Sequence, residues 1–383
     1  MKYETHIPSN LYVGGGELRK VGEIALKLGI KRALIVSDSF LYKSGLTDTV
    51  SDRLKEFAIE AFVFSEIESE PETGNVLDAL QVFKFEQCDG VVSIGGGSCI
   101  DTAKAVAVLA NNNGKISDYI GIGKVPNPGL PHIAIPTTAG TGSEVTRVTI
   151  ITDPDKNIKM MCLDNSFLPS VAIVDYELTL SMPSQLTSYV GIDALTHAIE
   201  AYVSKKSNPV SDLYAKKAIV SISRNILTAY EHPDNRPARA NMMEGATFAG
   251  IAFSNASVCT VHGMSRPIGA YFHVPHGLSN AMLLPKVTEQ SVEGNPSRYA
   301  EISQLMGING NFEKELTNAL VAELYRLNSI MQVPSPKEYG IDRQEYLSHL
   351  SDMADAAIAS GSPGNNPKEF TKEEIIDMYK KVF

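Results

Sequence analysis

Asp89-Gly90-Val91-Val92-Ser93-Ile94-Gly95-Gly96-Gly97-Ser98 passes from a short β-branched apolar run into three glycines, and Asp101-Thr102-Ala103-Lys104-Ala105-Val106-Ala107-Val108-Leu109-Ala110 follows with good helix formers. An apolar run, a glycine turn and a helical run in that order read as the strand, loop and helix of a βαβ unit. Working outward, Lys31-Arg32-Ala33-Leu34-Ile35-Val36-Ser37-Asp38 reads as an earlier strand, and His132-Ile133-Ala134-Ile135-Pro136 and Val171-Ala172-Ile173-Val174-Asp175 as later ones. Longer helical patterns separate these runs, so the first half is predicted to be an α/β domain on a largely parallel sheet.

After Met182-Pro183 the period changes. Ile192, Leu195, Ala198, Ile199 and Tyr202 recur at helical spacing, as do Leu316, Ala319, Leu320, Leu324 and Leu327, and no strand signal follows. An all-α domain is therefore expected over residues 181–383, behind an α/β domain over 1–180. Its breaks are expected at His232–Pro237, Pro334–Pro336 and Gly361–Pro367, where turn residues cluster. Thr371 with Glu374 forms a capping box that starts the last helix.

Composition sets the outer limits. The 383 residues allow two or three domains with sizeable cores, and 43% hydrophobic with 20% charged residues excludes disordered, collagen-like and low-complexity chains. Lys plus Arg number 34 against 44 Asp plus Glu, a net charge of −10 that repels nucleic acid and anionic membrane, so neither is expected as a partner. Cys88, Cys99, Cys162 and Cys259 are widely spaced without a CxxC pair and read as small core residues. The N-terminal residues lack the charged-then-apolar pattern of a signal peptide, and no run of 18 apolar residues occurs, so a soluble cytoplasmic protein is expected.

Two loops concentrate backbone donors. Gly95-Gly96-Gly97-Ser98 lies where a strand feeds a helix, a place where N–H groups and the helix dipole suit a phosphate; the same residues also suit a tight turn with no ligand. Thr137-Thr138-Ala139-Gly140-Thr141-Gly142-Ser143-Glu144 follows the next strand and adds hydroxyls. Asp38, at the end of the earlier strand, could accept from an adenosine ribose and repel a 2′-phosphate, favouring NAD over NADP, or could cap the helix ahead of Leu41. In the helical half, Asp193 and His197 stand four residues apart on one helix face, and His262 and His276 come later. A carboxylate with imidazoles and no thiolate suits Fe(II), Zn, Co or Ni; Asp193 and His197 alone would equally suit capping or hydrogen bonding.

With these residues quoted, the sequence resembles the iron-containing (group III) alcohol dehydrogenase family over essentially its whole length. Gly95 to Ser98 with Asp101, Ala103 and Lys104 looks like that family's GGGSxxDxAK, Thr137 to Glu144 like its TTxGTGSE, and Asp193 to Glu200 like its DALTHAIE helix. His262-Gly263-Met264 and Pro275-His276-Gly277 look like its last two metal-ligand segments. The resemblance implies the dehydroquinate synthase-like architecture, with a dinucleotide-binding α/β domain, a helical domain, and NAD(H) and a divalent ion, usually Fe(II), in a cleft between them. Asp193, His197, His262 and His276 would be the ligands. Gly95, Gly96, Gly97 and Ser98 would bind the pyrophosphate, with Thr137, Thr138, Thr146 and Lys159 along the rest of the cofactor and Asp38 setting NAD preference. The implied reaction is hydride exchange between nicotinamide and an alcohol or aldehyde carbon whose oxygen the metal polarises, without a side-chain nucleophile, in a homo-oligomer such as a dimer.

One position departs from the family pattern. Where many relatives carry another histidine four residues after the first of these later ligands, this chain has Arg266, which puts a histidine proton relay in doubt; His273 is the substitute on offer, or a surface histidine. A guanidinium there suits an aldehyde bearing a carboxylate, sulfonate or phosphonate, such as succinate semialdehyde or sulfoacetaldehyde, or else pairs with the cofactor or an internal carboxylate. The alternatives are a general short-chain alcohol or diol dehydrogenase of lactaldehyde or propanediol type, a zinc-using glycerol dehydrogenase or dehydroquinate-synthase-like relative, and a non-catalytic nucleotide- or metal-binding relative.

Overall fold

The four apolar runs singled out above are all strands, and they lie side by side in one sheet. The structure, a computed structural model, describes residues 3–67, 70–156 and 158–383, so Met1 and Lys2 of the N-terminal segment lie outside it. Its strands are β1 (Asn10–Gly14), β2 (Arg32–Asp38), β3 (Glu60–Ile67), β4 (Gly90–Gly95), β5 (Gly121–Ile122), β6 (His132–Pro136), β7 (Val148–Asp153), β8 (Ile158–Leu163) and β9 (Val171–Asp175). The main sheet has the order β1-β9-β6-β4-β2-β3 with every pairing parallel. Of its four inner strands, β4, β6 and β9 are buried along their whole length, which is why they read as largely apolar runs. The two edge strands were not among the expected ones: β1 and β3 are largely half-exposed, so polar residues interrupt their apolar pattern.

Side chains alternate across this sheet into two cores. Leu34 and Val36 of β2 pack with Val91, Ala103, Val106 and Phe167, whereas Ala33 and Ile35 pack with Val92, Ile94, Ile133 and Ile173. A second sheet of order β5-β8-β7 was also absent from the expectation. Its β7 and β8 are antiparallel, joined through a turn that includes Asp155 and Lys156, and β7 alternates buried and half-exposed residues, the period-2 pattern of a one-sided strand. All these strands belong to one compact unit, His6–Leu180.

The second unit holds residues 3–5 and Ser181–Phe383. Among its described residues there are helices and no strands; the long ones are Ser184–Val203, Pro209–Glu231, Arg236–Ala256, Thr260–Phe272, His276–Ser291 and Glu313–Ile330. Helices end or begin at each turn cluster named from sequence, and the capping box of Thr371 and Glu374 opens the helix Lys372–Val382 with both of its hydrogen bonds. The four cysteines are free and buried.

Candidate functional site

In the first unit, the chain runs from β2 outward to β3 and then returns to β4 on the other side of β2. The strand order therefore reverses between β2 and β4, and ligands of open α/β sheets bind outside the carboxyl ends of strands at such a point. Asp38 ends β2, Gly95 ends β4, and Thr137 follows the end of β6, so these three residues share one edge of three adjacent strands. The helix after β4 begins at Gly97, earlier than the sequence suggested, so the glycine run itself forms the helix start. It runs Gly97–Leu109 with Gly96 as an N-cap that offers no side-chain acceptor. Gly95 has φ 153°, and a Cβ there would lie 2.4 Å from Cys99 Sγ; a Cβ on Gly97 would lie 2.9 Å from Thr141. Glycine is thus required for the turn and for the second loop to close on the first, and the result is a side-chain-free helix N-terminus suited to a pyrophosphate.

Asp38 caps the short helix Ser39–Lys43 by accepting from Leu41 N at 2.8 Å through Oδ1, while Cys99 Sγ approaches Oδ2 at 3.8 Å. Thr137 donates its backbone N–H to Gly95 O at 3.0 Å, and Thr138 faces Gly96. Thr146 is buried and accepts from Lys104 Nζ at 3.0 Å. Lys104 also donates to Ser143 Oγ and to Val148 O, both at 2.7 Å, while Asp101 accepts from Ser143 Oγ and from Ile150 N. Asp101 and Lys104, which carried the motif without a stated role, therefore tie the second loop and β7 to the helix of the first. Burial pulls the Lys104 ammonium below its ordinary value against the attraction of Asp101. Lys159 sits on β8 of the other sheet, with Nζ 2.7 Å from Glu70 Oε2.

In the second unit, one ligand atom each from Asp193, His262 and His276 lies within 4.8 Å of the others, a group able to hold a metal ion. Asp193 and His197 come from Ser184–Val203, His262 from Thr260–Phe272, and His276 opens His276–Ser291. Gly277 lets the last of these approach, since a Cβ there would lie 2.8 Å from Tyr189 O. The His197 ring stacks on His262 with centroids 4.3 Å apart and on Phe253 at 4.2 Å. Burial alone would raise the Asp193 carboxyl, but His197, His262 and His276 outweigh it and hold it well below the usual carboxylate range. Burial alone would likewise lower His262, and its contacts to Asp193 and Glu200 reverse that, so the site attracts positive charge.

Glu200 is the residue that sequence reasoning missed, although it stands seven residues after Asp193 on the same helix. Its Oε2 lies 2.7 Å from His262 Nδ1 and accepts from Cys259 N at 2.9 Å, and Oε1 accepts from Val261 N at 2.6 Å. One carboxylate therefore caps the His262 helix and fixes the tautomer that leaves Nε2 free to bind a metal. Asn280, one turn beyond His276, puts its Nδ2 2.6 Å from Asp193 Oδ1. Two imidazoles and a buried carboxylate, with a third imidazole stacked beside them, fit a divalent transition metal. Arg266 lies four residues after His262 on a helix that continues past it, is partly buried, and donates to Ser362 Oγ at 3.3 Å. Among the described residues no carboxylate lies within ion-pairing distance of it, Glu200 attracting it only from farther away. His273 is exposed, ending that helix in a left-handed conformation with φ 54°.

A dinucleotide cradle at a switch point and a buried carboxylate–imidazole cluster in a helical unit together define a metal-dependent, dinucleotide-linked oxidoreductase. The profile of iron-containing alcohol dehydrogenases matches residues 8–176 and that of the same family's C-terminal domain residues 187–383; the chain belongs to this iron-dependent, NAD-linked family. The 1,3-propanediol dehydrogenase of Klebsiella pneumoniae is 37% identical over 382 residues, 98% of each chain. The crystal structure of a 1,3-propanediol oxidoreductase superposes with a TM-score of 0.97 at 36% identity, covering 100% of both chains. That of sulfoacetaldehyde reductase from Bifidobacterium kashiwanohense in complex with NAD+ gives 0.90 at 29% identity, covering 100% of this chain and 99% of that one. No helix among the described residues is long and apolar enough to cross a membrane.

Proposed function

We propose that this protein interconverts a primary alcohol and its aldehyde with NAD(H), that Asp193, His197, His262 and His276 hold the metal, and that Arg266 receives an acidic group on the substrate. The observation that carries the reading is the convergence of Asp193, His262 and His276 within 4.8 Å, backed by Glu200. Bound there, a divalent ion supplies Lewis-acid polarisation of the substrate oxygen, and NAD(H) supplies or accepts the hydride. Gly95, Gly96, Gly97 and Ser98 offer backbone donors to the pyrophosphate, Asp38 at the end of β2 would take the ribose, and Thr137, Thr138 and Thr146 would lie along the rest of the cofactor. Lys159, on β8, would line the rest of the cofactor, and His273 would act from the exposed end of its helix. The acting unit in this reading is a homo-oligomer, a dimer in the simplest case.

Arg266 supports the acidic substrate because it is a partly buried guanidinium with a single hydroxyl partner. The names of the propanediol enzymes favour a second reading, a neutral short-chain alcohol or diol. Anaerobically prepared, Fe(II)-loaded protein is to be assayed for NADH oxidation with chain-matched aldehydes with and without a carboxylate or sulfonate. Preference for the anionic aldehydes, with Arg266→Ala raising KM about tenfold or more for them alone, is the expected result. Equal losses on neutral aldehydes return Arg266 to a structural role, and no NADH turnover with any aldehyde overturns the dehydrogenase reading.

A further inference from the structure

Asn280 is fully buried on the helix His276–Ser291, and its Nδ2 touches three of the four proposed donors at once: Asp193 Oδ1 at 2.6 Å, His262 Nε2 at 3.2 Å and His276 Nε2 at 3.2 Å. The other end of the same amide, Oδ1, is buried and has no hydrogen-bond partner among the described residues. For an amide that is a poor arrangement. Its nitrogen carries two hydrogens and faces three ring or carboxylate atoms, while an unpaired buried acceptor costs about 1–3 kcal/mol.

A cation held by the same three atoms reverses what is needed at this point. N–H groups would turn their positive ends toward the ion, whereas an amide oxygen is a donor that Fe(II), Mn and Co accept. A half-turn about the terminal torsion of Asn280 exchanges the two ends, and that torsion is broad and roughly two-fold. Without an ion the exchange gives up the 2.6 Å bond to Asp193 Oδ1 and sets two oxygens against each other, so the contact with the ion decides its direction.

We infer that Asn280 is an adaptive member of the metal site: without metal its Nδ2 holds the three donors together, and with metal Oδ1 turns in as a further oxygen ligand. The inference rests on the proposed assignment of Asp193, His197, His262 and His276 as ligands. Its consequence is metal choice. Added to Asp193, His197, His262 and His276, an amide oxygen makes five protein ligands and so favours Fe(II) or Co(II) over Zn, whose protein sites are most often tetrahedral.

The test is the visible absorption of the Co(II)-loaded protein together with direct Fe(II)/Zn(II) competition, for the native chain, Asn280→Ala, Asn280→Asp and Asp193→Ala. Four-coordinate Co(II) absorbs more strongly than Co(II) with more ligands. Asn280→Ala is therefore expected to strengthen the bands and to lower the Fe(II)-over-Zn(II) preference about tenfold. Asn280→Asp, which keeps an oxygen at the same place, is expected to keep the native spectrum and to bind Co(II) at least as tightly. If Asn280→Ala fails to fold in a thermal melt, Asn280→Asp decides: a carboxylate cannot donate to Asp193, so weaker binding than the native chain means that Asn280 serves only as a hydrogen-bond donor and overturns the inference. Unchanged bands and preference in Asn280→Ala, with the bands lost in Asp193→Ala, overturn this inference alone. Bands left unchanged in Asp193→Ala overturn the ligand assignment beneath it.

Discussion

Glu200 spends both carboxylate oxygens on the segment Cys259–His262, two backbone N–H groups and one imidazole Nδ1. Glutamine keeps the shape but loses one acceptor, so Glu200→Gln releases either the helix cap or the tautomer lock on His262. A loss of 10- to 100-fold in metal affinity is expected, read by competition with a chelator of known strength. Affinity equal to that of the native chain would mean that helix position alone orients His262. The spacing of Asp193 and His197 was legible because four residues return a side chain to one helix face. Glu200 lies on that face too, but its partner is 62 residues away, and no local pattern links a carboxylate to an imidazole across two helices. Asn280 was hidden for the same reason: it follows His276 by one turn, yet only tertiary packing carries its amide to Asp193.

At the scale of elements, the helices Ser184–Val203 and His276–Ser291 meet where Gly277 faces Tyr189 O, with Asp193 Cβ 3.5 Å from where a Gly277 Cβ would sit. Gly277→Ala puts a methyl 2.8 Å from a backbone carbonyl that cannot swing aside, so the helices must part. Overpacking of this kind costs roughly 1–3 kcal/mol, and the shift separates His276 from Asp193. The variant is expected to lose most of its metal while keeping NAD+ binding, because the glycine loops belong to the other unit; titration calorimetry with NAD+ beside metal analysis checks both halves. Full metal occupancy would show that the helices part without moving His276. Inner strands were legible for the reason that makes them inner: β4, β6 and β9 are buried on both faces, and only Ser93 within β4 and the end residues His132 and Asp175 are polar. The edges β1 and β3 and the ribbon β7–β8 bury one face or less, and their mixed composition resembles that of loops until the pairing is seen.

For the molecule as a whole, the acid limb of stability is where a single buried group has the largest reach. His132 begins β6, is buried, and lies 2.8 Å from Ser93 Oγ of β4 through Nε2. Burial, helped by the Lys104 charge, lowers its pKa from 6.5 to about 3. Above pH 6.5 the imidazole is neutral whether the chain is folded or not, and it adds no pH dependence. Between pH 6.5 and 3 the unfolded chain takes up a proton that the folded chain refuses, so folding free energy falls as pH falls, by about 1.4 kcal/mol per pH unit from this residue. Below pH 3 both states are protonated and the loss stops growing. His132→Asn keeps a polar side chain for Ser93 and removes the titration. Relative to the native chain, the variant is therefore expected to gain on the order of 2–3 kcal/mol when denaturant unfolding is moved from pH 7 to pH 4.5. Both proteins are to be stripped of metal first, so that the histidines of the cluster contribute equally and cancel in the difference. A difference that does not change with pH would mean that His132 is protonated inside the folded sheet, and that the bond to Ser93 survives the charge.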